Sequence, residues 1–156
     1  MLRRARPEDT EAVCRLVHEA YAHYVERLGK PPGPMLDDYD RRIAAGQAWV
    51  LEDGDTVAGV LVLEDAEGSA LLLDNVAVAP TAQGKGYGRA LVAFAEEEAC
   101  RRGCDQVRLY THVLMTENLA LYRRLGFHET GRISEKGFDR VYMAKATAKR
   151  VGAAAP

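Results

Sequence analysis

The segment Gln83-Gly84-Lys85-Gly86-Tyr87-Gly88 alternates three glycines just ahead of a stretch with helical patterning. Glycines let the backbone approach a ligand closely and turn successive N–H groups toward it. The first N–H groups of a helix have no partner within the helix and lie at the positive end of its dipole. Phosphate oxygens answer both needs. The dipole contributes only about 0.3–1 kcal/mol at an exposed site, so the N–H bonds must carry most of the affinity. Lys85 and Arg89 add local positive charge. A P-loop needs Gly-Lys followed by Ser or Thr, and here Gly86 follows Lys85. A dinucleotide fingerprint needs a third glycine three places after the second, where this chain has Arg89. The bland alternative is a turn with no ligand. Glycines spaced this way at a helix start are costly unless close approach is needed.

Other chemistries find less support. The three cysteines, Cys14, Cys100 and Cys104, form neither a disulfide framework nor a paired metal motif, and His18, His23, His112 and His128 do not cluster in sequence. Reduced thiols in a cytoplasmic protein without a metal are expected. The net charge is -2, from 21 basic and 23 acidic side chains, so no broad field draws the chain to nucleic acid or anionic lipid. No apolar run approaches the roughly 20 residues that span a bilayer, and the basic N-terminus Met1–Arg6 is not followed by a signal-type apolar stretch.

The elements that must position the turn can be read along the 156 residues. A short first strand ends at Pro7-Glu8-Asp9, and Asp9 or Thr10 can cap a helix whose apolar face is Val13, Leu16, Val17, Ala20 and Tyr24. Gly29-Lys30-Pro31-Pro32-Gly33-Pro34 cannot continue it and forms a stiff loop. A second helix is expected over Leu36–Ala45, ending at Gly46. Strands follow at Ala48–Glu52 and Thr56–Glu64 around the hairpin Asp53-Gly54-Asp55. After a polar turn at Asp65–Ser69 comes a long, largely apolar strand, Ala70–Val78, suited to the centre of a sheet. A helix over Arg89–Arg102 buries Leu91, Phe94, Ala95 and Ala99 and is closed by Gly103. Then come a strand at Val107–His112, a helix at Thr116–Leu125 closed by Gly126, and strands near Phe127–Ser134 and Phe138–Ala144 joined at Lys136-Gly137. The order β-α-α-β-β-β-α-β-α-β-β gives an α/β (mixed α+β) fold in one domain, 1–145, with residues 146–156 as a frayed tail.

Gln83–Gly88 resembles the Gln/Arg-x-x-Gly-x-Gly/Ala signature of the GNAT superfamily, the acetyl-CoA-dependent N-acetyltransferases. The preceding Asn75-Val76-Ala77-Val78-Ala79-Pro80 resembles the strand that leads into it, and Asn118–Phe127 resembles the family's second motif in loose form. The element order agrees over roughly residues 2–145. The resemblance implies a central, mostly antiparallel sheet of six to seven strands with about four helices.

It also implies site residues. Backbone N–H groups of Gln83, Gly84, Lys85, Gly86, Tyr87 and Gly88, with Arg89, would hold the pyrophosphate of acetyl-CoA. Val76, Ala77 and Val78 would pair with its pantetheine arm, one N–H polarising the thioester carbonyl. Asn118 matches a residue that bonds the cofactor arm; otherwise it is a helix-start residue. Tyr122 matches the general acid, giving its proton to the thiolate as the amine attacks; otherwise it is a core tyrosine with Leu119 and Leu125. Family members that carry a strand glutamate base have it where this chain has Leu72. Asp74 or His112 could act instead, directly or through water, and each could equally be a structural polar group. A lysine amine with pKa ~10.4 costs about 4 kcal/mol to deprotonate near neutral pH, an α-amino group with pKa ~8 only about 1 kcal/mol. A weakly basic amine is therefore the easier acceptor. Acceptor recognition in the family involves the first two helices and the last strands, here Tyr21, Tyr24, Gly29–Pro34, Tyr39 and Phe138, with Tyr110–His112 and Met115–Asn118 as the floor. The expected partner is a small-molecule or peptide amine, and the family allows a homodimer. The competing readings are a non-catalytic CoA-binding or sensing module on the same fold and an acyltransferase for longer acyl groups or alcohols.

Overall fold

A computed structural model of the chain describes residues 1–148. Seven strands form one sheet: β1 (Leu2–Arg4), β2 (Ala48–Asp53), β3 (Thr56–Ala66), β4 (Ala70–Val78), β5 (Gln106–His112), β6 (His128–Glu135) and β7 (Phe138–Ala146). Their order is β1-β2-β3-β4-β5-β7-β6. The helices are α1 (Thr10–Leu28), α2 (Tyr39–Ala44), α3 (Tyr87–Arg101) and α4 (Thr116–Arg124). The β1-β2, β2-β3, β5-β7 and β6-β7 pairs are antiparallel, and β4 runs parallel to β5 with Ala70–Leu72 opposite Gln106–Arg108. Both the element order and the mixed, mostly antiparallel sheet agree with the sequence reading. The chain divides into two compact units, with the boundaries falling within β3, β4 and α3: Met1–Leu63 with Asp74–Val92, and Glu64–Leu73 with the chain from Ala93 onward.

In the first unit, β3 is buried continuously from Ala58 to Leu63, as a strand covered on both faces must be. Val13, Leu16 and Val17 of α1 are buried, with Tyr21 and Tyr24 on the same buried stripe. A methyl at Gly59 would come within 3.0 Å of Leu91 Cδ1, so the missing side chain lets the start of α3 lie close on β3. In the second unit, β5 and β7 alternate: Val107, Leu109, Val141 and Met143 are buried, while Tyr110, His112, Arg140 and Tyr142 on the other face are half-buried. The edge strand β6 is exposed at most positions and carries the ion pair Arg132–Glu129 at 2.6 Å, the kind of charge that discourages pairing with another chain.

Several boundaries differ from expectation for local reasons. Asp9 occupies the N-cap position of α1, as expected, but its side chain makes no capping bond; its carboxylate accepts from the Arg6 N–H at 2.7 Å and from the Arg3 guanidinium at 2.8 Å, closing the 3-10 turn Pro7–Asp9. The second helix begins at Tyr39, not Leu36, because Asp38 caps it by accepting from Arg41 N at 3.2 Å, and Gly33–Leu36 forms a separate 3-10 turn. On α3 the buried face includes Glu98, only 3% exposed and bonded to Arg101 and Arg102. The tail begins later than expected. Ala146 belongs to β7, and Thr147 is tied by its N–H to Asp105 O (2.9 Å) and by its hydroxyl to Cys104 O (2.8 Å). The rest of the expected tail, from residue 149, lies outside the described residues.

Candidate active site

In the first unit, β4 delivers the chain through Ala79 and the 3-10 turn Pro80–Ala82 to Gln83–Gly86, and α3 starts at Tyr87. Gly84 and Gly86 both take left-handed backbone, with φ of 85° and 80°, which side-chain-bearing residues adopt only under strain. No atom lies within 4 Å of where a Cβ would stand on either glycine. The glycines are therefore needed for backbone shape, and the space beside them is open. Gln83 through Gly86 and Arg89 are exposed. Together these features fit the phosphates of a nucleotide-bearing cosubstrate.

The side chains of the turn are organised by a residue that sequence reading had assigned only to the hairpin. The Asp53 carboxylate accepts from the Tyr87 hydroxyl at 2.7 Å and from Lys85 Nζ at 3.1 Å. Those bonds, Tyr87 first, hold the Asp53 carboxyl below its usual range, while the bond to Asp53 raises both Tyr87 and Lys85. Lys85 is thus cationic and paired across the turn.

On β4 itself, Ala77 is buried and Val76 and Val78 are half-buried. Just before them stand two polar residues in an otherwise apolar strand, Asp74 and Asn75. Asp74 accepts from Arg42 Nη2 at 3.3 Å. The same guanidinium donates to Asp37 (2.9 Å) and Gln47 (2.9 Å), and Arg42 is only 8% exposed. An ion-paired carboxylate is a poor base at neutral pH. Asn75 bonds the hydroxyls of Tyr21 (2.6 Å) and Tyr39 (3.1 Å). Tyr21, Tyr24 and Tyr39, expected near the acceptor, are all core residues. The signal for this cluster was present in the sequence: polar side chains inside a central strand must find partners when buried.

In the second unit, α4 presents Leu119 and Tyr122 on its buried stripe. The Tyr122 ring meets Phe127 edge-on at 5.8 Å, and burial pushes its phenol well above the usual range. It therefore stays protonated, as a proton donor must. Asn118 does not cap α4; Met115 occupies that position without a side-chain bond, and Asn118 Nδ2 lies 3.8 Å from the Met115 sulfur, a weak acceptor. Thr111 Oγ1 lies 3.5 Å from the same sulfur, so the expected floor residues Thr111, Met115 and Asn118 do cluster. Both ring nitrogens of His112 have a backbone N–H nearby: Leu114 N to Nδ1 at 3.0 Å, and Asp139 N to Nε2 at 3.4 Å. The lone pair on Nδ1 is engaged at the shorter distance. Phe138 is half-buried, edge-on to His112 at 6.0 Å.

Residues 44–129 match the family model for the acetyltransferase (GNAT) domain. The chain belongs to the GNAT acetyltransferase family. The uncharacterized N-acetyltransferase YvbK of Bacillus subtilis is 34% identical over 100 residues, 64% of this chain and 63% of that protein. This chain thus spans a little under two thirds of YvbK. The uncharacterized N-acetyltransferase YjgM of Escherichia coli is 30% identical over 135 residues, 81% of each chain. Among solved structures, yncA from Salmonella typhimurium with acetyl-CoA shares the GNAT fold at a TM-score of 0.73 and 24% identity, over 100% of this chain and 96% of that one. Among the described residues of this GNAT chain, no helix is long and apolar enough to cross a membrane, and no group of three or more His, Cys, Asp or Glu could hold a metal ion.

Proposed function

We propose that residues 1–145 act as one N-acetyltransferase domain that moves an acetyl group from acetyl-CoA to a weakly basic primary amine of a small molecule or peptide. The observation that carries the reading is the open, left-handed glycine turn at the start of α3. Acetyl-CoA supplies an activated thioester. On this reading the N–H groups from Gln83 to Gly88, with Arg89, hold its pyrophosphate, and Val76–Val78 pair with its pantetheine arm. The Asn118 side-chain amide hydrogen-bonds the same arm. The acceptor nitrogen forms the new C–N bond as the C–S bond breaks. Tyr122 gives its proton to the leaving thiolate and recovers one, through solvent, from the attacking nitrogen, which loses a proton as the neutral amide forms.

Asp74 and His112 were the candidate bases. Asp74 is engaged by Arg42, and the Nδ1 lone pair of His112 is taken by Leu114 N–H. Both observations support an amine that deprotonates itself at modest cost, about 1 kcal/mol for an α-amino group near neutral pH. The near-neutral charge of -2 supports a small or peptide acceptor over nucleic acid.

The test is acetyl-CoA turnover, read as free thiol, against a panel: triglycine for the α-amine, N-α-acetyl-lysine amide for the ε-amine, and small alkyl and aryl monoamines. The α-amine or aryl amine should turn over faster than the ε-amine at pH 7, the gap closing as pH rises. A calorimetric CoA titration runs beside it. Tight CoA binding without turnover on any amine would move the assignment to a CoA-sensing module. Replacing Tyr122 with Phe should lower kcat by about 10²–10³, within the range of general-acid contributions, with CoA affinity unchanged. Unchanged kcat would remove Tyr122 from the mechanism.

A further inference from the structure

The Tyr21–Asn75–Tyr39 cluster has a direction that proton bookkeeping fixes. Pro34 O can only accept, so the Tyr39 hydroxyl, 2.5 Å away, gives its single proton there. Tyr39 Oη must then accept from Asn75, which places Nδ2 toward it at 3.1 Å. Asn75 Oδ1 consequently faces Tyr21, whose hydroxyl donates to it at 2.6 Å. The orientations of the Tyr39 hydroxyl, the Asn75 amide and the Tyr21 hydroxyl follow from one proline carbonyl. Tyr21, Asn75 and Tyr39 are 6%, 2% and 3% exposed, so water does not compete for these bonds. Burial raises the Tyr39 phenol, which keeps it a neutral donor.

The relay ends where the chain is stiffest. Pro31, Pro32 and Pro34 fix their own φ angles, and Met35 N–H bonds Pro32 O at 3.0 Å, so holding the Pro34 carbonyl sets the path of the loop before it. The same hydroxyl of Tyr21 lies 3.1 Å from Val76 O, on the stretch of β4 read above as the cofactor-pairing segment. Arg42, bonded to Asp37, Gln47 and Asp74, holds α2 independently. Loss of the relay would therefore release the loop and leave the helix in place.

We propose that Asn75 is a positioning residue that sets the Gly29–Pro34 loop for the acceptor amine, through Tyr39, from the strand read as pairing with the cofactor. This rests on the acetyltransferase reading above.

Asn75→Ala removes the amide that links two buried hydroxyls and risks misfolding, so the decisive variant is Tyr39→Phe, which removes one oxygen. With whichever panel amine the wild type acetylates fastest, the acceptor KM should rise about fivefold, the size of one lost neutral hydrogen bond, with acetyl-CoA KM within about twofold. Amide exchange of Gly33, Met35 and Leu36 should accelerate while that of Gly84–Gly88 does not. Tyr21→Phe, which also touches Val76, should move both KM values. If Tyr39→Phe leaves the acceptor KM and the exchange at Gly33–Leu36 unchanged, or raises both KM values together with a lowered Tm, the proposal is overturned. If the wild type acetylates no amine of the panel, the acetyltransferase reading fails by itself. Exchange then decides the relay: acceleration confined to Gly33–Leu36 supports it, and none, or acceleration spread through α2, overturns it.

Discussion

The glycine turn at Gln83–Gly88 and the polar cluster around Asp74-Asn75 lie within a dozen residues of each other in sequence and are built on opposite plans. The turn is largely exposed, made by backbone, and its Lys85 and Tyr87 side chains are held by an exposed carboxylate, Asp53. The cluster is buried, made by side chains, and draws Asn75 together with Tyr21, 54 residues away, and Tyr39, 36 away. A site made of backbone must prescribe φ and therefore leaves glycines in the sequence. One made of side chains leaves only isolated polar letters in apolar runs, whose partners come from elsewhere. The first plan tolerates side-chain changes and fails on backbone changes; the second does the reverse.

The largest effect that this contrast predicts is on stability, at Arg42. Replacing it with Met keeps much of the volume and removes the guanidinium that serves Asp37, Gln47 and Asp74. Two carboxylates with side chains 15% and 12% exposed then lose that cation. Breaking a buried pair from one side typically costs about 3–5 kcal/mol, so urea denaturation should show a loss of about 3 kcal/mol. A loss near that of an exposed pair, under about 1 kcal/mol, would mean that the cluster is not built on Arg42.

The same buried character sets a pH response. Burial raises the folded-state pKa of the Tyr39 phenol above its unfolded value of about 10. Its stabilisation is complete below that value and declines as pH rises toward the folded one, because the unfolded chain then releases a proton that the native state keeps. The slope expected from this phenol is about 1.4 kcal/mol per pH unit above pH ~10. Alkaline denaturation of the wild type and Tyr39→Phe should therefore converge as pH rises. Parallel curves would show that the hydroxyl is not isolated from solvent.

These expectations also mark what sequence could deliver. Ala70–Val78 was legible to the residue, because nine largely apolar residues bounded by Ser69 and Ala79-Pro80 have one reading. The start of α2 was not, because Leu36 looks helical by spacing, while the capping oxygen that decides the matter belongs to Asp38. Among site residues, Gly84 and Gly86 announced themselves. The Arg42–Asp74 pair did not, since pairing between residues 32 apart has no local signature. Asp53 was read correctly as a hairpin residue and incompletely as nothing more.

On the turn, the informative change is in the backbone. Gly86→Ala places a Cβ in open space on a residue with φ of 80°. The fold should lose only about 1 kcal/mol, the cost of one left-handed alanine. Acetyl-CoA KM should nevertheless rise about tenfold, equivalent to about 1.4 kcal/mol, because the methyl and the strained N–H both fall where phosphate oxygens are read to sit. Equal effects on folding and KM would make the glycine a purely structural requirement.

The smallest effect should come from Asp53→Asn. The carboxylate occupies the Lys85 ammonium at 3.1 Å and the Tyr87 hydroxyl at 2.7 Å, all on the surface. It can help, by holding both side chains where a phosphate needs them, or hinder, by repelling the phosphate and using up the cation. At the surface the geometric benefit is small, since solvent-exposed pairs hold side chains weakly. Repulsion of a multiply charged ligand acts over the Debye length, ~10 Å at 0.1 M salt and ~3 Å at 1 M. Hindrance should therefore win at low salt: acetyl-CoA KM of Asp53→Asn should fall about twofold to threefold there and match the wild type near 1 M salt. A rise in KM that persists at high salt would reverse the sign, making Asp53 part of the phosphate site and giving the turn a side-chain scaffold of its own.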